Sequence, residues 1–89
     1  MFFRLILQLA MADKSEILIK FGQNLRNIRE SKKMTVQQLD ALTAIDHSEI
    51  SKLENGKKSL ELMTILKLCK GLQIKADQLI PSTIIDMID

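Results

Sequence analysis

Thr35–Gly56 reads TVQQLDALTAIDHSEISKLENG and carries two complete helix-start signals. Thr35 is an N-cap residue, and Gln38, three residues on, completes a capping box. Met34 and Leu39 stand where a hydrophobic staple forms. The device recurs after Ile45: Asp46 is the cap, Glu49 its box partner, and Ile45 and Ile50 the staple pair. Two starts this close exclude one long helix. The first helix must end near Leu42 or Thr43 and the second must begin after Asp46. The turn between them is then about three to four residues long, a helix-turn-helix arrangement.

On a helical wheel of about 100° per residue, Ile50 and Leu53 fall about 60° apart and mark the buried side of the second helix. Ser48 and Lys52 fall almost opposite, Ser51 lies nearer one flank, and His47 stands at the leading end. Such side chains hydrogen-bond base edges, and a lysine also reaches guanine or phosphate. Taken alone, the same pattern describes any solvated helix face.

Outward from this pair, Asp13–Lys33 reads as a first helix, with Asp13 and Glu16 as cap and box. Ile17, Leu18, Phe21, Leu25 and Ile28 form one stripe, and Arg26, Arg29, Lys32 and Lys33 suit the C-terminal dipole. After the pair, Asn55–Ser59 is a loop with Gly56 as the glycine beyond a helix end. Ser59 then caps a fourth helix whose inner face is Leu62, Ile65, Leu66, Cys69 and Leu72, widened by Leu60 and Leu68. Residues 76–80 form a short fifth helix that stops before Pro81. The tail that follows holds Ile84, Ile85, Met87 and Ile88, which need burial. Leu79, Ile80, Ile84 and Ile85 are therefore candidates for a dimer surface, or else they fold back on their own subunit.

The segment from about Phe21 to Ile80 resembles the Cro/repressor-type (XRE) helix-turn-helix domains. The most specific piece is ISKLENGKKSLELMTILKLCKGL, in which Ile50, Leu53, Glu54, Gly56 and Lys57 match that family's I-x-x-[IL]-E-x-G-[KR] run. The resemblance implies an all-α fold, a compact five-helix bundle that binds double-stranded operator DNA as a homodimer. It implies base contacts from His47, Ser48, Ser51 and Lys52, and backbone contacts from Thr35, Gln37, Asn55, Lys57 and Lys58. It also implies an ion pair between Arg29 and Glu54. Small members of the family include phage repressors, restriction–modification controller proteins and antitoxins. The stretches FGQNLRNIRESKKMT and SLELMTILKLCKGLQI look closest to the controller type. The competing class is a protein-interaction module, an antitoxin whose apolar arms hold a toxin.

Three positions depart from the family pattern. Asp40 stands where a small alanine is usual, Ala44 where a glycine is usual, and Val36 where a phosphate-contacting glutamine is frequent. A carboxylate between two helices needs a partner or a route to solvent. A non-glycine residue at φ > 0 costs roughly 1 kcal/mol or more. These departures also leave open a domain that has lost DNA binding.

At 89 residues the chain is one small domain with a thin core. It divides into an apolar extension at 1–12, the helical domain at 13–80 and the tail at 81–89. Lys20–Lys75 holds eleven Lys and Arg against six Asp and Glu, and residues 76–89 hold three Asp and no base. The basic excess thus sits on the segment that would neutralise phosphates. A single cysteine, Cys69, allows no internal disulfide and fits a reducing cytoplasm. It reads as a small core residue. No apolar run approaches the roughly 20 residues of a membrane span. His47 is the only histidine, with no cysteine or acidic cluster at metal-ligand spacing in the sequence, and no glycine-rich phosphate loop is present. Neither a catalytic role, a metal nor a cofactor is expected.

MFFRLILQLAMA, residues 1–12, admits three readings. Ala10-Met11-Ala12 fits a signal-peptide cleavage pattern. The segment could instead pack on the domain or a partner subunit, or Met11 could be the natural start.

Overall fold

Six helices follow one another: α1 (Phe2–Ser31), α2 (Val36–Thr43), α3 (His47–Glu54), α4 (Leu62–Leu72), α5 (Ala76–Leu79) and α6 (Ser82–Ile85), with no strand among the described residues. The structure is a computed structural model that describes residues 2–88, with side chains from Lys14 to Ile88.

α1 is 30 residues long and runs straight through Asp13, which is therefore not an N-cap. The run before Asp13 is rich in Leu, Met and Ala and has no glycine or proline to stop a helix, so helix propagates through it. What residues 1–12 pack against lies outside the described side chains. α1 ends at Ser31, two residues earlier than its charge pattern suggests. Lys33 takes φ 56°, and the Met34 N–H donates back to the Arg29 carbonyl at 3.2 Å, closing the helix in the manner usually left to glycine.

The core is built from Phe21 and Leu25 of α1, Leu39 of α2, Ile45 in the turn and Ile50 and Leu53 of α3. Leu68 and Leu72 of α4, Leu79 of α5 and Ile84 of α6 complete it. α4 begins at Leu62 with Glu61 as its N-cap, so Ser59 caps nothing. Leu60 packs against the core from the loop, and Glu61 is extended at φ −96°, ψ 153°, which holds 59–61 out of the helix. The inner face of α4 is also turned from the expected one. Ile65, Leu68, Cys69 and Leu72 face in at i, i+3, i+4, i+7 spacing, while Leu62 and Leu66 are 69% and 52% exposed. Seven of the eleven residues of α4 are apolar, which blurs the phase of the stripe. Burial pushes the Cys69 thiol up, away from the reactive thiolate.

The tail folds back on its own chain. Pro81 precedes the extra turn α6, and Ile84 closes the core beside α1. Asn24 of α1 fastens this end, donating to the carbonyls of Gln78 at 3.0 Å and Leu79 at 2.8 Å.

α1 and α3 pack side by side, and Gly22 sets their spacing. A Cβ there would lie 2.5 Å from the Leu53 carbonyl oxygen and closer still to that of Glu54, both of them backbone atoms at the end of α3. Gly22→Ala is expected to force the helices apart at a cost of roughly 1–3 kcal/mol, as overpacking does elsewhere. In urea denaturation this appears as a lower midpoint at an unchanged slope.

Candidate nucleic-acid interface

The interface is assembled by α2, the turn and α3. At the start of α2, Thr35 Oγ1 accepts the Gln38 N–H at 3.1 Å and Gln38 Oε1 accepts the Thr35 N–H at 2.8 Å, a reciprocal capping box. Four residues after Asp40, Ala44 ends the helix in the left-handed region at φ 60°, ψ 23°, and its N–H donates to the Asp40 carbonyl at 2.8 Å. Buried Thr43 satisfies the turn from within. Its hydroxyl donates to the Leu39 carbonyl at 2.8 Å and accepts the Ile45 N–H at 3.2 Å.

Asp46 caps α3, accepting the Ser48 N–H at 3.0 Å and also the Ser48 hydroxyl. These bonds hold the Asp46 carboxyl below its ordinary value of 3.8. The stabilisation they give α3 is present above that ordinary value and is lost as pH falls through the depressed one. Asp40 reaches across from α2 and accepts the His47 backbone N–H at 3.0 Å on Oδ2. The same oxygen lies 3.3 Å from His47 Nδ1, and Asp46 Oδ1 lies 3.7 Å from that nitrogen. Sequence spacing did not place two carboxylates around His47; the turn does. Each of the three residues brings one ligating atom within 4.8 Å of the others, on side chains that are exposed or half-exposed. Asp40 Oδ2 and Asp46 Oδ2 are already engaged in capping α3.

Ile50 and Leu53 are buried, which turns His47, Ser48 and Lys52 to solvent and leaves Ser51 half-buried. Beyond α3, Asn55 Nδ2 donates to the Ser51 carbonyl at 2.8 Å, and Gly56 turns the chain at φ 69°. Lys57 is exposed. Lys58 is half-buried and bonded to Glu49, which raises its ammonium above the ordinary 10.5. Glu49 therefore binds the loop rather than returning to the Asp46 N–H as a box partner. Thr35 and Gln37, at the opening of α2, are exposed. Leu79 and Ile84 lie in the chain's own core, Ile80 is half-buried, and Ile85 is 57% exposed.

One ion pair holds this assembly to α1. Arg29 Nε donates to Glu54 Oε2 at 2.7 Å and a second nitrogen to Oε1 at 3.0 Å, while Nη1 donates to the Met34 carbonyl at 2.8 Å. The two side chains are 10% and 6% exposed. The hydrogen bond to Glu54 raises the Arg29 pKa above its ordinary value, so the guanidinium stays charged. A planar guanidinium meeting a carboxylate edge-on is the strongest geometry such a pair can adopt.

A family model described as "Helix-turn-helix" (HTH_3) matches residues 25–79, from the core of α1 to the end of α5. The chain belongs to the helix-turn-helix family. It is 42% identical over 60 residues to the uncharacterized HTH-type transcriptional regulator RghRB of Bacillus subtilis, covering 66% of this chain and 43% of that protein. It is also 42% identical over 55 residues to the HTH-type transcriptional repressor RghR of the same organism, covering 61% and 41%. The chain thus spans about two fifths of the length of these two regulators. The control protein C.MunI of Mycoplasma is 30% identical over 66 residues, covering 73% of this chain and 89% of that one. Among solved structures, the restriction–modification controller protein C.AhdI of Aeromonas hydrophila superposes with a TM-score of 0.68 at 37% identity, over 70% of this chain and 94% of that one. Among the described residues, no helix is long and apolar enough to cross a membrane.

Removing one partner of the buried pair strands a charge. Arg29→Ala is expected to cost roughly 3–5 kcal/mol, whereas the double replacement Arg29→Met with Glu54→Leu should recover most of that loss. Urea denaturation of the two single variants and the double variant reads the coupling directly; strictly additive losses would show that the pair does not act as a unit.

Proposed function

We propose that the chain is a sequence-specific, DNA-binding transcription regulator, a repressor or controller protein, that reads the major groove with α3. The observation that carries this reading is the pinned α3 itself. Its apolar side is locked into the core, and its polar side, His47, Ser48 and Lys52, is presented to solvent. Ser51 lies at the edge of that face. The names of the relatives, each a regulator, repressor or control protein, support the same reading.

Thr35 and Gln37 ahead of α3, and Asn55 and Lys57 behind it, flank the reading head in the chain and hold the phosphates on either side of it. Lys58 adds charge to that contact but is shared with Glu49. The net basic excess of residues 20–75 supplies the sequence-independent part of the affinity.

The regulator acts as a homodimer, with two copies of α3 entering successive major grooves about 34–36 Å apart. Support for pairing comes from apolar surface that one chain leaves uncovered. Ile85 and Ile88 are 57% and 67% exposed, and they border an apolar groove of about 160 Å³ with Leu18 and Ile80.

Selection from a random duplex library at physiological salt tests the function. The expected result is a two-fold symmetric site with half-sites about one helical turn apart. Lys52→Ala should then relax one base position at a cost of roughly 1–3 kcal/mol, while Lys57→Ala should weaken all sequences alike and lower the salt slope by about one. Failure of the folded protein to enrich any site would exclude operator binding by the free chain.

A further inference from the structure

The polar atoms at the head of α3 have their hydrogen-bonding roles fixed before DNA arrives. His47 Nδ1 faces two oxygens, Asp40 Oδ2 at 3.3 Å and Asp46 Oδ1 at 3.7 Å. Among the described residues, these are the charged groups paired with the ring: Asp40 from α2 and Asp46 from the turn. An ionised carboxylate only accepts hydrogen bonds. The single proton of a neutral imidazole is therefore drawn to Nδ1, and Nε2 keeps its lone pair. Asp40 cannot swing away cheaply, because the oxygen that faces the ring also accepts the His47 backbone N–H at 3.0 Å.

Ser48 is held in the same sense. Its hydroxyl proton is given to Asp46 Oδ2, which also accepts the Ser48 N–H at 3.0 Å. The Ser48 oxygen therefore has lone pairs, and no proton, left to offer. Two neighbouring exposed side chains at the tip of the helix are thus both acceptors.

In the major groove, the donors on base edges are the amino groups, N4 of cytosine and N6 of adenine; guanine and thymine present only acceptors at the corresponding positions. We infer that the head of α3 selects an amino-bearing base, cytosine or adenine, through His47 Nε2 and Ser48 Oγ, and that Asp40 is the positioning residue that sets this preference. The inference rests on the DNA-binding reading above and adds to it the chemistry of one base in each half-site. It also gives Asp40 a role. The carboxylate that replaces the family's small alanine caps the first turn of α3 and chooses the tautomer of the residue beside it.

The tautomer can be measured without DNA. His47 is the chain's only histidine, so ¹⁵N-histidine labelling gives a single pair of ring-nitrogen signals. With the pH raised until the ring signals no longer move, so that the ring is neutral, the intact chain should show a protonated Nδ1 and a bare Nε2. Asp40→Ala should return the ring to the Nε2–H form that free imidazole favours. Asp40→Asn should keep Nδ1–H, because the His47 backbone N–H requires the amide oxygen, not its NH₂, at that place. A protonated Nε2 in the neutral ring of the intact chain overturns the inference.

Site selection at the same pH tests the base preference. One position in each half-site, read on the strand that α3 contacts, should accept cytosine and adenine and discriminate against guanine and thymine by roughly fivefold or more, within the range of a mismatched base pair; read on the complementary strand, the same position shows guanine and thymine. His47→Ala should flatten that position and leave the others. Asp40→Ala should weaken the same position while keeping the rest of the site. A position that His47→Ala flattens and that groups the bases otherwise, adenine with guanine or adenine with thymine, overturns the inference and leaves operator binding intact. The absence of any enriched site overturns operator binding itself, and the base preference with it.

Discussion

The bidentate contact between Arg29 and Glu54 is the constraint on which the rest of this fold depends. It joins the C-terminal turns of α1 to the last residue of α3, and a third donor from the same guanidinium fixes the Met34 carbonyl where the chain leaves α1. A pair this buried contributes little net stability against an apolar equivalent. Its effect is on placement. With Gly22 allowing close approach and the ion pair setting register, α3 has one position against α1. Any helix that reads bases must be held in this manner, because phosphate contacts and base contacts have to be met together.

The opposite end of α3 is fixed by the turn. Thr43 satisfies the backbone from inside, and Ala44 accepts a left-handed conformation that costs about 1 kcal/mol for a residue with a Cβ. Asp40 and Asp46 together take up N–H groups of the first turn of α3, which a helix otherwise leaves unpaired. α3 is therefore anchored by a buried charge pair at its C-terminus and by two carboxylates at its N-terminus. Between them, Ile50 and Leu53 hold it to the core.

Much of this was legible in the residues. The capping box of Thr35 and Gln38, the Asp46 cap and the apolar pair Ile50 and Leu53 marked α2 and α3 by local chemistry alone, and the family resemblance supplied the bundle around them. Where the sequence reading went astray, the cause was also physical. Asp13 and Ser59 are good cap residues, but a cap acts only where a helix ends. α1 has no breaker before Asp13, and burial of Leu60 pulls the chain out of helix beyond Ser59. The face of α4 was ambiguous because apolar residues surround it. The role of Asp40 was unreadable because its partner stands seven residues away across a turn whose geometry no local signal fixes. The tie from Asn24 to the end of α5 spans more than fifty residues and left no trace in sequence.

The central claim is that the face of α3, held by these anchors, is the surface that meets DNA. The most direct test is to titrate the ¹⁵N-labelled chain with duplex DNA and follow every backbone amide. The largest shifts are expected in residues 46–58 and at the start of α2, with α4–α6 little changed. Shifts centred on α4 or on the tail, with α3 silent, would contradict it.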